Sequence, residues 1–386
     1  MSFSISQAST PSHPLAPYGW DDEWAAAFAP YAEQGLLPGR VVRVDRGQCD
    51  VVTPNGTLRA DTAFVVPRDP MRIVCTGDWV AVDPDGDPRF VRTLLPRRTA
   101  FVRSTSSQRS EGQVLATNID HIVICVPLSV ELDLGRLERF LALAMSSTTG
   151  AALLGDGRPA RRGTHEVHPL VLLTKTDLVP DVTTLSHLVE DIERVAPGVQ
   201  VLPVSSATGE GVDVFGAIVG GGTSVLLGTS GAGKSTLANA LLGEEVMRVH
   251  GAREVDGKGR HTTTTRNLLV LPGGGVLIDT PGLRGVGLWD AGTGVGQVFS
   301  EIEDLARQCR FHDCAHESEP GCAVLGALDD GALSARRLDS YRKLLRENHR
   351  IAAKTDARLR TETLREWKRR SAEGRAAMEM KRGRTR

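Results

Sequence analysis

The chain has no apolar run approaching the roughly 20 residues that a membrane-spanning helix needs. Its longest, His168-Pro-Leu-Val-Leu-Leu173 and Gly275-Val-Leu-Ile278, are far shorter. The N-terminal stretch MSFSISQASTPSHPLAP lacks the basic start and apolar core of a secretory leader, so a cytoplasmic protein without membrane attachment is expected. Cysteine is scarce. Of six in 386 residues, Cys49, Cys75 and Cys125 are scattered, whereas Cys309, Cys314 and Cys322 lie together. In a reducing compartment such a cluster points to a metal before a disulfide. A strong net charge is also lacking: the value of −1 excludes a uniformly basic nucleic-acid binder. Internal repeats are absent.

The 40 % hydrophobic and 24 % charged residues exclude a mainly disordered chain, and the length suggests two or three domains. Charge is unevenly distributed. From Ser334 to Arg386 there are 18 Lys and Arg against 7 Asp and Glu, a local +11, which leaves −12 for the remainder. A basic tail on an acidic body suits phosphate backbones.

Residues 1–37 read as a proline-punctuated arm carrying Trp20 and Trp24, with a short helix over Asp21–Ala32. Short β-branched runs follow at Arg40–Val44, Cys49–Val52, Asp78–Val82 and Phe90–Leu94, separated by turns at Arg46-Gly47, Asn55-Gly56 and Asp85-Gly86. They predict a small OB-like β-barrel over 38–103. From 115 to 300 the pattern is α/β. Apolar runs at Ile119–Val126, Leu170–Leu173, Val199–Val204, Ser224–Leu227 and Val276–Ile278 predict buried parallel strands, with helices over Arg136–Met145 and Leu185–Val195. Residues 147–168 read as a surface insertion. A zinc-binding segment is expected over 301–353 and a basic helical tail over 354–386, with helices over Ser334–Ala353 and Asp356–Met380.

Gly228-Thr229-Ser230-Gly231-Ala232-Gly233-Lys234-Ser235 matches G-x-x-x-x-G-K-[ST] between a strand and the helix that opens at Thr236. Its glycines let backbone N–H groups converge on phosphate oxygens at the positive end of the helix. Lys234 would reach the β- and γ-phosphates, and the Ser235 hydroxyl would ligate Mg²⁺. In Val276-Leu-Ile-Asp279-Thr-Pro-Gly282, Asp279 would hold Mg²⁺ through water, and the Gly282 amide would sense the γ-phosphate. Between them lies Gly259-Arg-His261-Thr-Thr-Thr-Thr265, in the place of a switch loop. Thr263 is the first choice among Thr262, Thr263 and Thr264 to complete the Mg²⁺ shell; an edge strand is the alternative for this threonine run.

The strand Leu170–Leu173 ends in Thr174-Lys175-Thr176-Asp177. An Asp there can accept hydrogen bonds from N1–H and the exocyclic amine of guanine, a donor pair that adenine lacks. Lys175 can lie along the base. A second strand ends in Ser205-Ser206-Ala207, where the alanine amide suits guanine O6. In most GTPases the phosphate loop precedes the base-reading segments. Here it follows them, so the domain is circularly permuted, and D-T-P-G leads directly toward the C-terminal module.

Finally, Cys309-x4-Cys314-x-His316-x5-Cys322 supplies three thiolates and an imidazole, a closed tetrahedral set suited to one structural Zn²⁺. His312 is a competing imidazole.

Barrel, permuted GTPase order and cysteine cluster together resemble the bacterial small-ribosomal-subunit-dependent GTPase A family over about residues 39–345, including Gly77-Asp78-Trp-Val and Leu95–Arg103. The resemblance implies a multidomain, cytoplasmic GTP hydrolase that alternates between GTP and GDP. It would act late in small-subunit maturation, bind rRNA and be stimulated by the small ribosomal subunit. Other assembly factors are expected partners, and a monomer is expected. The resemblance favours His316 as the fourth zinc ligand. The family usually has Asn where Thr174 stands, and loss of that amide predicts weaker guanine binding. Where many GTPases carry a catalytic Gln, this chain has Leu283, which cannot orient water. The resemblance assigns that role to His261, an imidazole able to bond water at neutral pH. The alternatives are a nucleotide-gated rRNA-binding scaffold with incidental hydrolysis, and an ATPase.

Overall fold

Alternation of inward and outward side chains builds the N-terminal module. The computed structural model of the chain describes residues 13–65, 72–104, 112–147, 165–246, 266–280, 288 and 291–355. Helix α1 spans Asp22–Ala32, and the strands β1 (Leu37–Asp45), β2 (Gln48–Thr53), β3 (Gly56–Asp61), β4 (Trp79–Val82) and β5 (Arg89–Leu94) follow. The strands close into a barrel in the order β1-β2-β3-β5-β4. Cys49 and Val51 of β2 point into its core with Val41, Val80 and Val91. The β1–β2 hairpin turns on Arg46 and Gly47, with φ of 42° and 83°. That left-handed pair matches the twist of the strands it joins. The barrel ends at Leu94; Ala100–Ser104 (β6) pairs instead with Gly112–Thr117 (β7) in a separate hairpin.

The segment before β1 is a lid on this barrel. Asp21 caps α1, its carboxylate accepting the Trp24 amide at 2.9 Å. Trp24, Phe28 and Leu15 pack against Trp79, Ala81 and Leu95. Arg98 binds the Asp21 carboxylate at 2.6 Å and stacks over Trp24 at 4.1 Å.

A six-stranded sheet follows: β8 (His121–Pro127), β9 (His168–Thr174), β10 (Gln200–Val204), β11 (Thr223–Leu227), β12 (Leu268–Val270) and β13 (Val276–Ile278). Its order is β10-β9-β8-β11-β13-β12, parallel except for β12. The near-continuous apolar runs are explained by burial on both faces. Ile122, Ile124, Val171 and Leu173 meet α2 (Leu134–Ser146) and α3 (Val182–Val195). Val123, Cys125, Leu170 and Leu172 meet α4 (Val212–Val219) and α5 (Lys234–Leu242) on the other face. The turns at Gly220–Gly222 and Gly273–Gly275 touch backbone to backbone, since a Cβ on Gly275 would lie 2.7 Å from the Gly222 carbonyl oxygen.

Barrel and sheet are joined through buried polar contacts. Arg40 of β1 donates to the Thr223 hydroxyl at 2.9 Å, to the Asn118 carbonyl at 3.3 Å and to the Tyr18 carbonyl, and its guanidinium lies 5.1 Å from the centre of the Trp79 ring. Burial lowers its pKa to about 10, so it remains a cation at neutral pH. Arg43 also bridges to Asn267, next to β12.

C-terminal helices α6 (Gly292–Val298), α7 (Ser300–Ala306), α8 (Ala323–Asp329) and α9 (Ala335–Thr355) cover the α2 side. The positive charge of the stretch from Ser334 is partly committed to this packing. Glu138 of α2, fully buried, accepts Arg337 at 2.7 Å, Arg336 at 2.9 Å and the Ser340 hydroxyl. Arg337 also binds Glu301 at 2.7 Å and lies over Phe299. Arg342 donates to the His316 carbonyl. Arg337 and Arg342 are therefore structural groups; Arg336 is exposed but paired with Glu138, and Lys343, Arg346 and Arg350 are exposed. The helix expected over Asp356–Met380 and residues 148–164 of the expected insertion lie outside the described residues.

Candidate functional site

Because β8, β9, β10, β11 and β13 are parallel, the loops that follow them emerge on one edge of the sheet. This edge is the general location of ligands in open α/β sheets. Chain order is immaterial to it, and segments from both ends of the domain meet there.

The phosphate loop leaves β11 at Gly228, whose φ is 151°; a Cβ there would lie 2.7 Å from the Cys125 carbonyl oxygen. The loop ends at Gly233, φ 81°, which caps α5. Lys234 opens the helix and is 8 % exposed. Its ammonium donates to the carbonyls of Gly228 at 2.9 Å and Thr229 at 2.8 Å, inside the loop. Ala232 is buried, Thr229 and Ser235 are half-buried, and Ser230, Gly231 and Thr236 are exposed.

Asp279, just past β13, is buried, and its amide donates to the Asn267 carbonyl at 3.1 Å. Burial raises its pKa while the Lys234 charge opposes the rise; burial lowers the pKa of Lys234. A bound phosphate and cation would supply the charge partners that both groups call for. Next to it, the Thr280 hydroxyl donates to the Leu226 carbonyl at 2.5 Å, pinning this strand end to β11. His261, Thr263 and Gly282 lie outside the described residues.

Thr174-Lys175-Thr176-Asp177 and Ser205-Ser206-Ala207 follow the adjacent strands β9 and β10. Lys175 adopts a left-handed φ of 64° and donates to the Ser129 hydroxyl at 3.3 Å. Asp177 is exposed and accepts the Ser205 hydroxyl at 2.6 Å. Ser205 oxygen in turn accepts the amides of Ala207 and Thr208, both at 3.2 Å. One hydroxyl thus orients an acceptor carboxylate, which the N1–H and amine of guanine require, and ties down the loop that begins at Ser206. Ser206 is half-buried beside them, and Thr176 is buried. Thr174 reaches across to the phosphate loop, donating to the Ala232 carbonyl at 2.8 Å.

The cysteine cluster fits a metal by its distances. The ligand atoms of Cys309, Cys314, His316 and Cys322 all lie within 4.8 Å of one another. Cys309 and Cys322 sulfurs are 3.8 Å apart, and His316 Nδ1 lies 3.6 Å and 3.4 Å from them. Tetrahedral zinc, with bonds of about 2.3 Å to sulfur and about 2.0 Å to nitrogen, sets S···S near ~3.8 Å and S···N near ~3.5 Å. Glu319, which the ligand spacing does not single out, organises this loop. Its carboxylate accepts the amides of Ala315, Glu317 and Ser318 at 2.8–3.0 Å, and these bonds hold its pKa at about 2. Its place before Pro320-Gly321 is the one local signal of a turn.

Comparison with known proteins agrees with this arrangement. The model of the RsgA GTPase family matches residues 162–289. The small ribosomal subunit biogenesis GTPase RsgA of Streptomyces avermitilis is 73 % identical over 97 % of this chain and 96 % of its own length. That of Streptomyces coelicolor is 70 % identical over 97 % of this chain and 99 % of its own length, and that of Opitutus terrae 40 % over 92 % and 95 %. Among solved structures, YjeQ from Thermotoga maritima matches with a TM-score of 0.54 at 24 % identity, over 81 % of this chain and 98 % of the other. YloQ, a circularly permuted GTPase, gives 0.51 at 20 % over 81 % and 94 %. These two likenesses establish the fold: an OB-like barrel, a circularly permuted GTPase domain and C-terminal helices. With relatives this similar along nearly its whole length, the chain belongs to the RsgA family of small ribosomal subunit biogenesis GTPases.

Proposed function

We propose that this GTPase couples GTP hydrolysis to late maturation of the small ribosomal subunit in the cytoplasm, acting as a monomer on the subunit's rRNA alongside other assembly factors. The observation that carries the nucleotide reading is the convergence of the loops after β9, β10, β11 and β13 on one sheet edge. Guanine is read by Asp177, with Lys175 along the base and Ser205-Ser206-Ala207 closing its edge. Residues Gly228 to Thr236 cradle the phosphates, Lys234 supplying the neutralising charge. Ser235, Thr263 and, through water, Asp279 would hold Mg²⁺, which when bound neutralises charge on the phosphates. Gly282 senses the terminal phosphate, and His261 orients the attacking water.

Cys309, Cys314, His316 and Cys322 would hold one structural zinc. We assign residues 1–37 to an N-terminal arm, 38–94 to the barrel, 115–300 to the GTPase domain, 301–353 to the zinc module and 354–386 to a basic tail. No helix among the described residues is long and apolar enough to cross a membrane.

The decisive measurement is GTP turnover with and without isolated small ribosomal subunits. Slow intrinsic turnover and strong stimulation are expected, and His261→Ala should remove most of the stimulated rate while GTP binding persists. A His261→Ala protein with full stimulated turnover would refute the catalytic assignment; absence of stimulation in the parent would refute the coupling. For rRNA contact, the exposed Lys343, Arg346 and Arg350 together with the basic residues beyond Ala353 are the groups in play. Truncation after Ala353 should weaken subunit binding and flatten its salt dependence, because fewer counterions are released. Unchanged binding and salt slope would assign those charges to solvation alone.

A further inference from the structure

A cavity of about 240 Å³ lies where the N-terminal lid, strands β1 and β4 of the barrel and the starts of β8 and β11 meet. In a parallel sheet the strand starts lie opposite the edge that carries the nucleotide loops. The five residues of β11 put about 16 Å between the two ends, so no single phosphate group reaches both. Two arginines and two aspartates line the cavity, and they are not equivalent. Arg98 and Asp21 satisfy each other in an ion pair of 2.6 Å. Arg40, 1 % exposed, has no carboxylate partner among the described residues; its Nη atoms donate to the Tyr18 and Asn118 carbonyls and the Thr223 hydroxyl. Its Nε–H has no acceptor there. Neither has the indole N–H of Trp79, also 1 % exposed and opposite Arg40 in the β1–β4 register. Buried donors of this kind call for an acceptor, and both residues line the cavity. Asp120 commits Oδ2 to the Thr223 amide at 2.7 Å, and its other oxygen accepts nothing among the described residues. Two glycines keep the space open: a Cβ on Gly19 would lie 2.9 Å from Arg40 Nη1, and one on Gly222 3.3 Å from Asp120 Oδ2.

We propose that this cavity is a second anion site, which binds inorganic phosphate between Arg40, Trp79 and Asp120. The bare phosphate oxygens accept from Arg40 Nε and the Trp79 indole, and the P–O–H donates to the free oxygen of Asp120. Phosphate keeps at least one proton at neutral pH, whereas sulfate has none. Sulfate would meet Arg40 equally well but would set an oxygen against the Asp120 carboxylate with no hydrogen between them, an unpaired contact that burial penalises. One carboxylate among the donors therefore selects a protonated oxyanion. The bound ion would join lid, barrel and sheet at one point, on the side of the sheet away from the nucleotide.

The test is titration of the full-length protein, saturated with GDP and Mg²⁺, with inorganic phosphate and with sulfate, each against sodium chloride at equal ionic strength. Tryptophan fluorescence reports the cavity, since Trp24 and Trp79 line it, and the thermal midpoint gives a second reading because an ion bound only to the folded state stabilises it. The expected result is a saturable response to phosphate, none to chloride, and binding of sulfate at least about tenfold weaker. Trp79→Phe keeps a ring and removes the donor, and should weaken phosphate about tenfold. Asp120→Asn can donate as well as accept, and should abolish the preference for phosphate over sulfate. Should one of these variants fail to fold, the other decides together with the phosphate-to-sulfate ratio of the parent. Lys234→Ala, which disables the phosphate loop, should leave the response in place. A parent that responds to phosphate no more than to chloride overturns the proposal, and so does one that binds sulfate equally well. Parent-like phosphate binding in Trp79→Phe, or a response lost in Lys234→Ala, would place the ion elsewhere and overturn it too.

Discussion

Replacing Cys322 with serine should release the zinc and unfold the segment from α7 to the start of α9. Metal analysis of the parent is expected to find about one zinc per chain, and of Cys322→Ser almost none. The effect is large because a structural zinc contributes on the order of 10 kcal/mol to the fold of a small module. Few local contacts could replace it. Cys322 also caps α8, its sulfur accepting the Leu325 amide at 3.4 Å, and the His316 carbonyl anchors Arg342 of α9. Losing the metal would therefore loosen both helices, and limited proteolysis should cut first between Cys309 and Cys322. A variant that retains its zinc and its protection would show that the four side chains pack without serving as a metal centre.

A second large effect is expected in the packing of α9 against α2. Glu138→Gln removes the charge that faces Arg337 in the α2–α9 interface, where Arg337 is 6 % exposed. Removing one partner of a buried ion pair costs about 3–5 kcal/mol; Arg337 keeps its bond to the half-exposed Glu301 carboxylate, which places this variant at the low end of that range. The thermal midpoint of the first transition should fall by about 6 °C or more. Arg336, on the same carboxylate, has a side chain 45 % exposed, and Arg336→Ala should cost less than about 1 kcal/mol. Equal shifts in the two variants would mean that burial does not set the strength of this cluster.

Arg337 lies in the stretch from Ser334 whose excess of positive charge suits phosphate, yet it is a structural group. Its local sequence is that of a solvated basic helix, and its partner Glu138 lies on another helix nearly 200 residues earlier. No window of sequence contains both. Helix α6 was equally hidden: Gly-Thr-Gly-Val-Gly-Gln-Val has poor helix propensity and no clear apolar stripe. Its reason is packing, because a Cβ on Gly294 would meet the Ala142 carbonyl oxygen at 2.0 Å. Strand β3 and the β6–β7 hairpin were not read as units either, since their runs are short and mixed.

What was legible carried its own local physics. The apolar runs behind β8, β9, β11 and β13 reflect burial on both faces, whereas β10, at the sheet edge, is only half-buried; the Arg46-Gly47 turn reflects a backbone need that short sequence can express. The glycines and lysine of the phosphate loop and the cysteine spacing were likewise readable, because their chemistry fixes residue type at fixed intervals. Asp177 could be named from its strand end, but the Ser205 hydroxyl that aims it could not, since that bond joins two strands through space. Sequence marks the groups; the sheet decides which of them become neighbours.

The joint at Arg40 limits how this molecule can move. Swinging the barrel away from the sheet would strand a buried cation that now rests on Thr223, Asn118, Tyr18 and the Trp79 ring. The two bodies therefore behave as one stiff handle. A partner that gripped the barrel would therefore also fix the orientation of the sheet edge on which the strand-end loops converge.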